Sequence, residues 1–343
     1  MRTGVILLNF GEPEHASEAE VVAFLERIFM ANAPLESPSD PARVAARAAE
    51  LARSRAPGLI EQYREVGGSP LNVQARAQAV ALQRALERRG HEVVTYTAMQ
   101  FTEPSIPEVV DAARADGVDR LLGLPVYPLC GPSTTVAALT ALAAAVRATG
   151  WDVQLLELSG WHLHPDYIAL RGDSIRRAAA AAGLDLGGRT HLVFSAHGTP
   201  LEYLRAGSRY DLYVDDCCRR VAVAAGAPAY TIGFQNHANR PIEWTQPDVE
   251  RVIDEIEADA VVVDAISFMH EQSETLAELD RGLRERAEAR GLVFRRVPIP
   301  HDDPRFAAVL ADLVEAGLTG RGIVLDACRC RTAARCTNAR VSR

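Results

Sequence analysis

The residues best suited to chemistry fall in three places. The first is His191-Leu-Val-Phe-Ser-Ala-His-Gly-Thr-Pro200, an apolar run that ends abruptly on His197 before Gly198 and Pro200 turn the chain away. Imidazole titrates near neutrality and ligates metals, so a histidine there suits proton or metal chemistry, although a hydrogen-bonded turn residue would look the same. The second is His270 to Asp280, where His270, Glu274 and Glu278 recur every four residues and would share one helix face. Two like charges at that spacing gain nothing unless a cation or a proton joins them; a solvated surface face has the same pattern. The third is the cysteines. Cys328, Cys330 and Cys336 crowd the last sixteen residues, Cys217 and Cys218 are adjacent, and Cys130 stands alone. In a cytosolic chain such clusters more often ligate metals than form disulfides.

The elements that must position these residues alternate. Gly4 to Phe10 is an apolar strand broken by Gly11-Glu-Pro13. Helical spacing follows from Ser17 to Met30, with Ser17 and Glu20 matching a capping box, then a loop over 31–40 and a polar helix from Pro41 to Arg55. An amphipathic helix is expected over Val73 to Arg89, strands at Glu92 to Ala98 and Arg120 to Tyr127, a helix over Ser133 to Thr149 and a strand at Asp152 to Leu158. After a helix from Asp166 to Ala182 the alternation resumes, with strands at His191 to Ala196, Ala229 to Phe234, Ala260 to Ile266 and Val293 to Pro298, and a last helix over Pro304 to Ala316. This is an α/β pattern of two doubly wound parallel-sheet halves, and ligands in such folds bind beyond the carboxyl ends of the strands. The expected divisions are residues 1–160, with a lid excursion over 17–66, then 161–319, then a Cys/Arg-rich tail over 320–343.

Composition removes several functions. The net charge of −8 argues against a nucleic-acid surface, although the tail after Thr319 carries six arginines and one acid. All 37 basic side chains are arginine, which excludes lysine Schiff bases and the lysine of a phosphate loop. No apolar run reaches the length of a membrane span, and the opening nine residues read as a strand rather than a signal peptide. The expectation is a cytoplasmic protein with at most peripheral membrane contact.

Several of these stretches, in order, resemble the ferrochelatases, class II chelatases that insert ferrous iron into a porphyrin. Phe194-Ser-Ala-His-Gly-Thr-Pro200 is similar to their histidine signature, and Ser273-Glu-Thr-Leu-Ala-Glu-Leu-Asp280 to their glutamate segment. Leu7 to Pro13, Gly67-Gly-Ser-Pro-Leu-Asn72, Leu124-Pro-Val-Tyr-Pro128 with Ser133-Thr-Thr135, and Phe234-Gln235 through Trp244 resemble further blocks. The resemblance implies two Rossmann-like halves around a cleft, with His197 as proton acceptor or metal ligand. Glu274 would lie opposite, and Glu278 would continue a carboxylate row that passes cations inward. Imidazole and carboxylate suit Fe2+ and also Zn2+ or Co2+. Phe10, Phe101, Tyr127, Arg240 and Trp244 are the expected porphyrin contacts; Tyr127 and Trp244 could equally be core.

Departures from the family pattern bear on substrate. Gln100-Phe101 stands where many relatives have Arg-Tyr, which leaves Arg240 or an arginine of the 41–64 excursion to anchor a propionate. Phe10 replaces the tyrosine usual in relatives that act on coproporphyrin, favouring protoporphyrin IX over coproporphyrin III. Gln272 replaces a second histidine, leaving His197 and His270 as the site imidazoles. Several relatives carry a [2Fe–2S] cluster, which here would use Cys328, Cys330 and Cys336 with Cys130, or with Cys217 or Cys218, as the fourth ligand; a zinc site or reduced thiols remain open. A cobalt or nickel chelatase for another tetrapyrrole, and a non-catalytic haem or iron carrier, are the competing readings. The sequence leaves the oligomeric state open.

Overall fold

Residues 2–33, 41–236 and 242–341 are described by a computed structural model. Among the described residues ten strands form two sheets: β1 (Thr3–Asn9), β2 (Val93–Met99), β3 (Arg120–Pro125), β4 (Gln154–Leu158), β5 (Thr190–His197), β6 (Tyr230–Gln235), β7 (Ala260–Ala265), β8 (Val293–Arg296), β9 (Asp326–Ala327) and β10 (Ala334–Cys336). The first sheet has the order β2-β1-β3-β4-β10-β9 and the second β6-β5-β7-β8. All pairings are parallel except β9 with β10. The central strands β1, β3, β5 and β7 are buried and mostly apolar because helices cover both faces of a parallel sheet.

The helices are α1 (Glu18–Asn32), α2 (Pro41–Val66), α3 (Leu71–Arg88), α4 (Ile106–Ala115), α5 (Ala137–Ala148), α6 (Pro165–Ala181), α7 (Leu201–Arg205), α8 (Tyr210–Ala225), α9 (Val249–Glu255), α10 (Arg284–Ala289) and α11 (Pro304–Thr319). Two rare π-helical stretches join them, Pro132–Val136 before α5 and Glu274–Leu283 before α10. No helix among the described residues is long and apolar enough to cross a membrane.

Three local departures from expectation have physical causes. Helix α2 does not stop at Arg55 but runs through Pro57 to Val66. A helix-interior proline costs about 3 kcal/mol; here Ala52, Ala56, Ile60 and Tyr63 all face one small core with Val21, Phe24 and Leu25 of α1, and that packing outweighs it. The capping box at α1 is half made: Ser17 Oγ accepts from Glu20 N, while the Glu20 carboxylate accepts from His15 N instead. The tail, aperiodic in sequence, adds β9 and β10 to the first sheet, and α11 packs on α3, β3 and β4, so the chain returns to its first half after building the second.

Candidate active site

The carboxyl edges of the two sheets meet. His197 closes β5, and its backbone is held from both sides: its N–H donates to Ser267 Oγ (2.9 Å) and its carbonyl accepts from Tyr210 OH (3.0 Å). Its Nδ1 lies 2.7 Å from the Gly198 carbonyl. A carbonyl only accepts, so Nδ1 carries the proton and Nε2 is the basic nitrogen of the neutral ring. Phe268 packs edge-on to the imidazole at 6.2 Å. Gly198 is obligatory, since any Cβ there would overlap Asn236 Oδ1 and the Gln235 carbonyl. A bridge between Pro200 and Trp244 lays the tryptophan beside this turn.

The second sheet also presents the carboxylates. Beyond β7 the chain bends through 266–272 and enters the π-helix on Glu274, with Glu278 one turn on; such helices concentrate at functional sites. Gln235 ties this helix to the strand edge. It pairs in register with His197, its Oε1 accepts from Ser195 Oγ (2.8 Å), and its Nε2 donates to the Glu274 carbonyl (3.0 Å) and Glu278 Oε2 (2.8 Å). Glu274 Oε2 accepts from Gln272 Nε2 (2.7 Å) and lies 3.0 Å from Ser273 Oγ. The exit from β7 is held by Arg171 of α6, which is fully buried. Its Nη2 donates to both oxygens of Asp264 (2.8 and 2.7 Å) and to the Ala265 carbonyl, and its Nη1 to the Phe268 carbonyl.

The first sheet contributes a third carboxylate, Glu12, placed by Gly11 at φ +82° in the turn after β1, where a side chain would strike Thr102 and Met99. Burial and the charge of Glu274 push Glu12 up to about 7. Burial and the charge of Glu274 likewise push Glu278 up to about 8, although Glu278 is exposed and solvent tempers the effect. At neutral pH Glu278 holds a proton that a divalent cation would displace. Both groups are raised above their unfolded values, so their contribution to stability is full below about pH 4.5 and is lost as pH rises through 7 to 8. Metal-free wild type should therefore lose melting temperature relative to Glu278→Gln as pH goes from 6 to 9; a pH-independent difference between them would contradict this.

The other expected site residues are distributed unevenly. Tyr127, beyond β3, comes close enough for Glu274 to add to the burial that raises its phenol, and its OH donates to Gln100 Oε1 (2.9 Å). Phe10 is half-buried against Phe101 (4.6 Å) and Phe24 (6.1 Å), whereas Phe101 is turned into the core between α1 and α2. Arg240 lies outside the described residues. His270 corrects an expectation: the helix starts after it, so it does not share the Glu274–Glu278 face. It is buried between the halves with Nε2 2.7 Å from Gln78 Oε1, and burial, with His301, pushes it down to about 3. His164 caps α6, its Nδ1 accepting from Asp166 N (3.2 Å). Asp216 of α8 is buried and paired with His162, Arg219 and Arg220.

The thiols of Cys130, Cys328 and Cys330 lie within 4.8 Å of one another. Cys336 neighbours Cys328, and the surrounding thiols hold Cys328 below the usual thiol range. Cys217 and Cys218 are buried in α8 against Arg171 and Asp264, apart from this group.

Two parallel sheets that face their carboxyl edges into one cleft define the chelatase fold. The sirohydrochlorin chelatase SirB from Bacillus subtilis subspecies spizizenii, in complex with cobalt, aligns over 93% of this chain and 96% of its own with TM-score 0.53 and 9% identity. SirB from Bacillus subtilis with Fe3+ aligns over 93% and 97% with TM-score 0.55 and 10% identity, so the likeness is one of fold. Sequence comparison is more specific. The ferrochelatase family model matches residues 2–318. A ferrochelatase of Synechococcus sp. (strain RCC307) is 34% identical over 334 residues, covering 95% of this chain and 85% of the relative. One of Synechococcus sp. (strain JA-3-3Ab) is 35% identical over 329 residues, covering 92% and 94%. The chain belongs to the ferrochelatase family. It is a metal-insertion enzyme of haem biosynthesis.

Proposed function

We propose that this enzyme inserts Fe2+ into protoporphyrin IX, with His197 as the base for the pyrrole protons and Glu274 and Glu278 delivering the cation. Insertion must remove two pyrrole protons and strip water from the metal. The observation that carries the reading is the convergence of a histidine whose Nε2 is the basic nitrogen with a carboxylate pair tied to the same strand edge by Gln235. A row of protonatable carboxylates exchanges protons for a cation as it passes, and carboxylate with imidazole suits Fe2+. Tyr127, Phe10 and Trp244 would wall the macrocycle. The preference for protoporphyrin is supported by Phe10, which packs on two aromatic rings and has no hydroxyl to offer a further propionate. Anaerobic metallation of protoporphyrin IX and coproporphyrin III tests this directly: faster turnover of coproporphyrin would transfer the assignment to that substrate, and turnover of neither would end it.

Cys130, Cys328, Cys330 and Cys336 would hold a [2Fe–2S] cluster. The residues fit such a group: the thiols of Cys130, Cys328 and Cys330 gather within 4.8 Å of one another with Cys336 beside Cys328, a four-sulfur donor set of the kind that holds an iron–sulfur cluster. We expect two irons and two sulfides per chain, with a visible chromophore that Cys130→Ser abolishes. One zinc and no chromophore would replace the cluster with a zinc site.

A further inference from the structure

Glu12 lies in a turn motif that carries no chemistry by itself, yet its carboxylate is among the most heavily bonded in the protein. It is 3% exposed. On Oε1 it accepts from Tyr63 OH of α2 (3.1 Å) and from Ser273 Oγ (2.5 Å); on Oε2 it accepts from Ser69 Oγ and from Ser273 N (3.1 Å). A carboxylate offers about four lone-pair sites, so these donors use it up and leave Glu12 unsuited to ligating a cation. Its charge is directed to Ser273 instead. The Ser273 N–H is one of the donors that a helix start leaves without an intrahelical partner, and an anion placed there is favoured by the helix dipole as well.

Ser273 is also the residue from which Glu274 departs, and its Oγ lies between the two carboxylates, 2.5 Å from Glu12 and 3.0 Å from Glu274 Oε2. Tyr63 belongs to the lid: it is buried in the core that α2 shares with α1, at the end of the Ala52, Ala56, Ile60 face. The lid, the edge of the first sheet and the helix of Glu274 thus converge on one side chain, across 51 and 261 residues of sequence.

We propose that Glu12 is a positioning residue for metal insertion: through Ser273 it aims the Glu274 carboxylate, and through Tyr63 it makes that aim depend on how the lid helix is seated. This rests on Glu274 handling the metal, as set out above. Removing either member of a charge-assisted hydrogen bond between Glu12 and Ser273 should misdirect Glu274 without touching the porphyrin wall. The loss then falls on the metal's kcat/KM and not on porphyrin affinity.

The test is insertion of Zn2+ into protoporphyrin IX at varied metal concentration, with porphyrin Kd measured separately by fluorescence quenching. Wild-type turnover that is lost in Glu274→Gln upholds the underlying reading; an inactive wild type or a fully active Glu274→Gln defeats that reading, and this inference with it, whatever the Glu12 variants do. Given that baseline, Ser273→Ala and Glu12→Gln should each lower kcat/KM for the metal about tenfold at unchanged porphyrin Kd, with the double variant no worse than either single. Tyr63→Phe should lower it by a smaller factor, and by none in the Glu12→Gln background. Full activity of Ser273→Ala, multiplicative losses in the double variant, or a loss confined to porphyrin Kd would overturn the proposal. If Glu12→Gln does not fold, Ser273→Ala with Tyr63→Phe makes the same cycle, in which additivity overturns it and non-additivity sustains it.

Discussion

Replacing His197 with alanine should slow metal insertion by about 10^2- to 10^4-fold, the usual worth of a positioned general base. The backbone of His197 is fixed by Ser267 and Tyr210 independently of its ring, so the turn should survive the change and the melting temperature should hardly move. Porphyrin binding, read by quenching, should survive too. A His197→Ala variant with near wild-type turnover would remove the imidazole from the reaction and leave the carboxylates as the only bases. If added imidazole restores part of the rate, the missing group is a base and not a packing element.

Cutting the Arg171–Asp264 pair should cost more stability than any surface change. Both side chains are fully buried, and removing one partner from such a pair strands the other charge at a cost of about 3–5 kcal/mol. Arg171→Met should therefore lower the unfolding midpoint sharply, and Arg171→Met with Asp264→Leu should recover much of the loss, because well-packed apolar pairs often replace buried ions without penalty. Activity should not recover with it. The guanidinium also holds the Ala265 and Phe268 carbonyls, which fix the loop carrying Ser267 to the backbone of His197. A double variant that regains both stability and turnover would show that the loop keeps its shape unaided.

What the sequence discloses and what it hides follow from how local the cause is. His197 is legible because an aliphatic run ending on a polar turn announces a strand end, and Glu274 with Glu278 because a four-residue interval survives whether the helix is α or π. The fold is legible from the same alternation, since buried parallel strands are apolar on both faces. His270 fits the interval equally well, and only the actual helix start excludes it. Glu12 was hidden in a Gly-Glu-Pro turn: nothing within ten residues reveals that its partners are Tyr63 and Ser273. Gln235 was visible only as part of a resembling block, its role being set by register with the neighbouring strand. The helix expected to end at Arg55 continues through Pro57 because the cost of a proline is local, while the core between α1 and α2 that offsets it is not.

The return of the chain to its first sheet has a consequence for biosynthesis. Until Ala334–Cys336 has been made, β4 is an open sheet edge, and until Pro304–Thr319 has been made, the surfaces of α3, β3 and β4 that α11 covers are bare. Open edges and uncovered apolar faces are what nascent chains aggregate through. The N-terminal half thus emerges from the ribosome first and is finished last, waiting through the synthesis of the entire second half. A chain arrested between β4 and α11 should therefore display an adhesive, incomplete sheet.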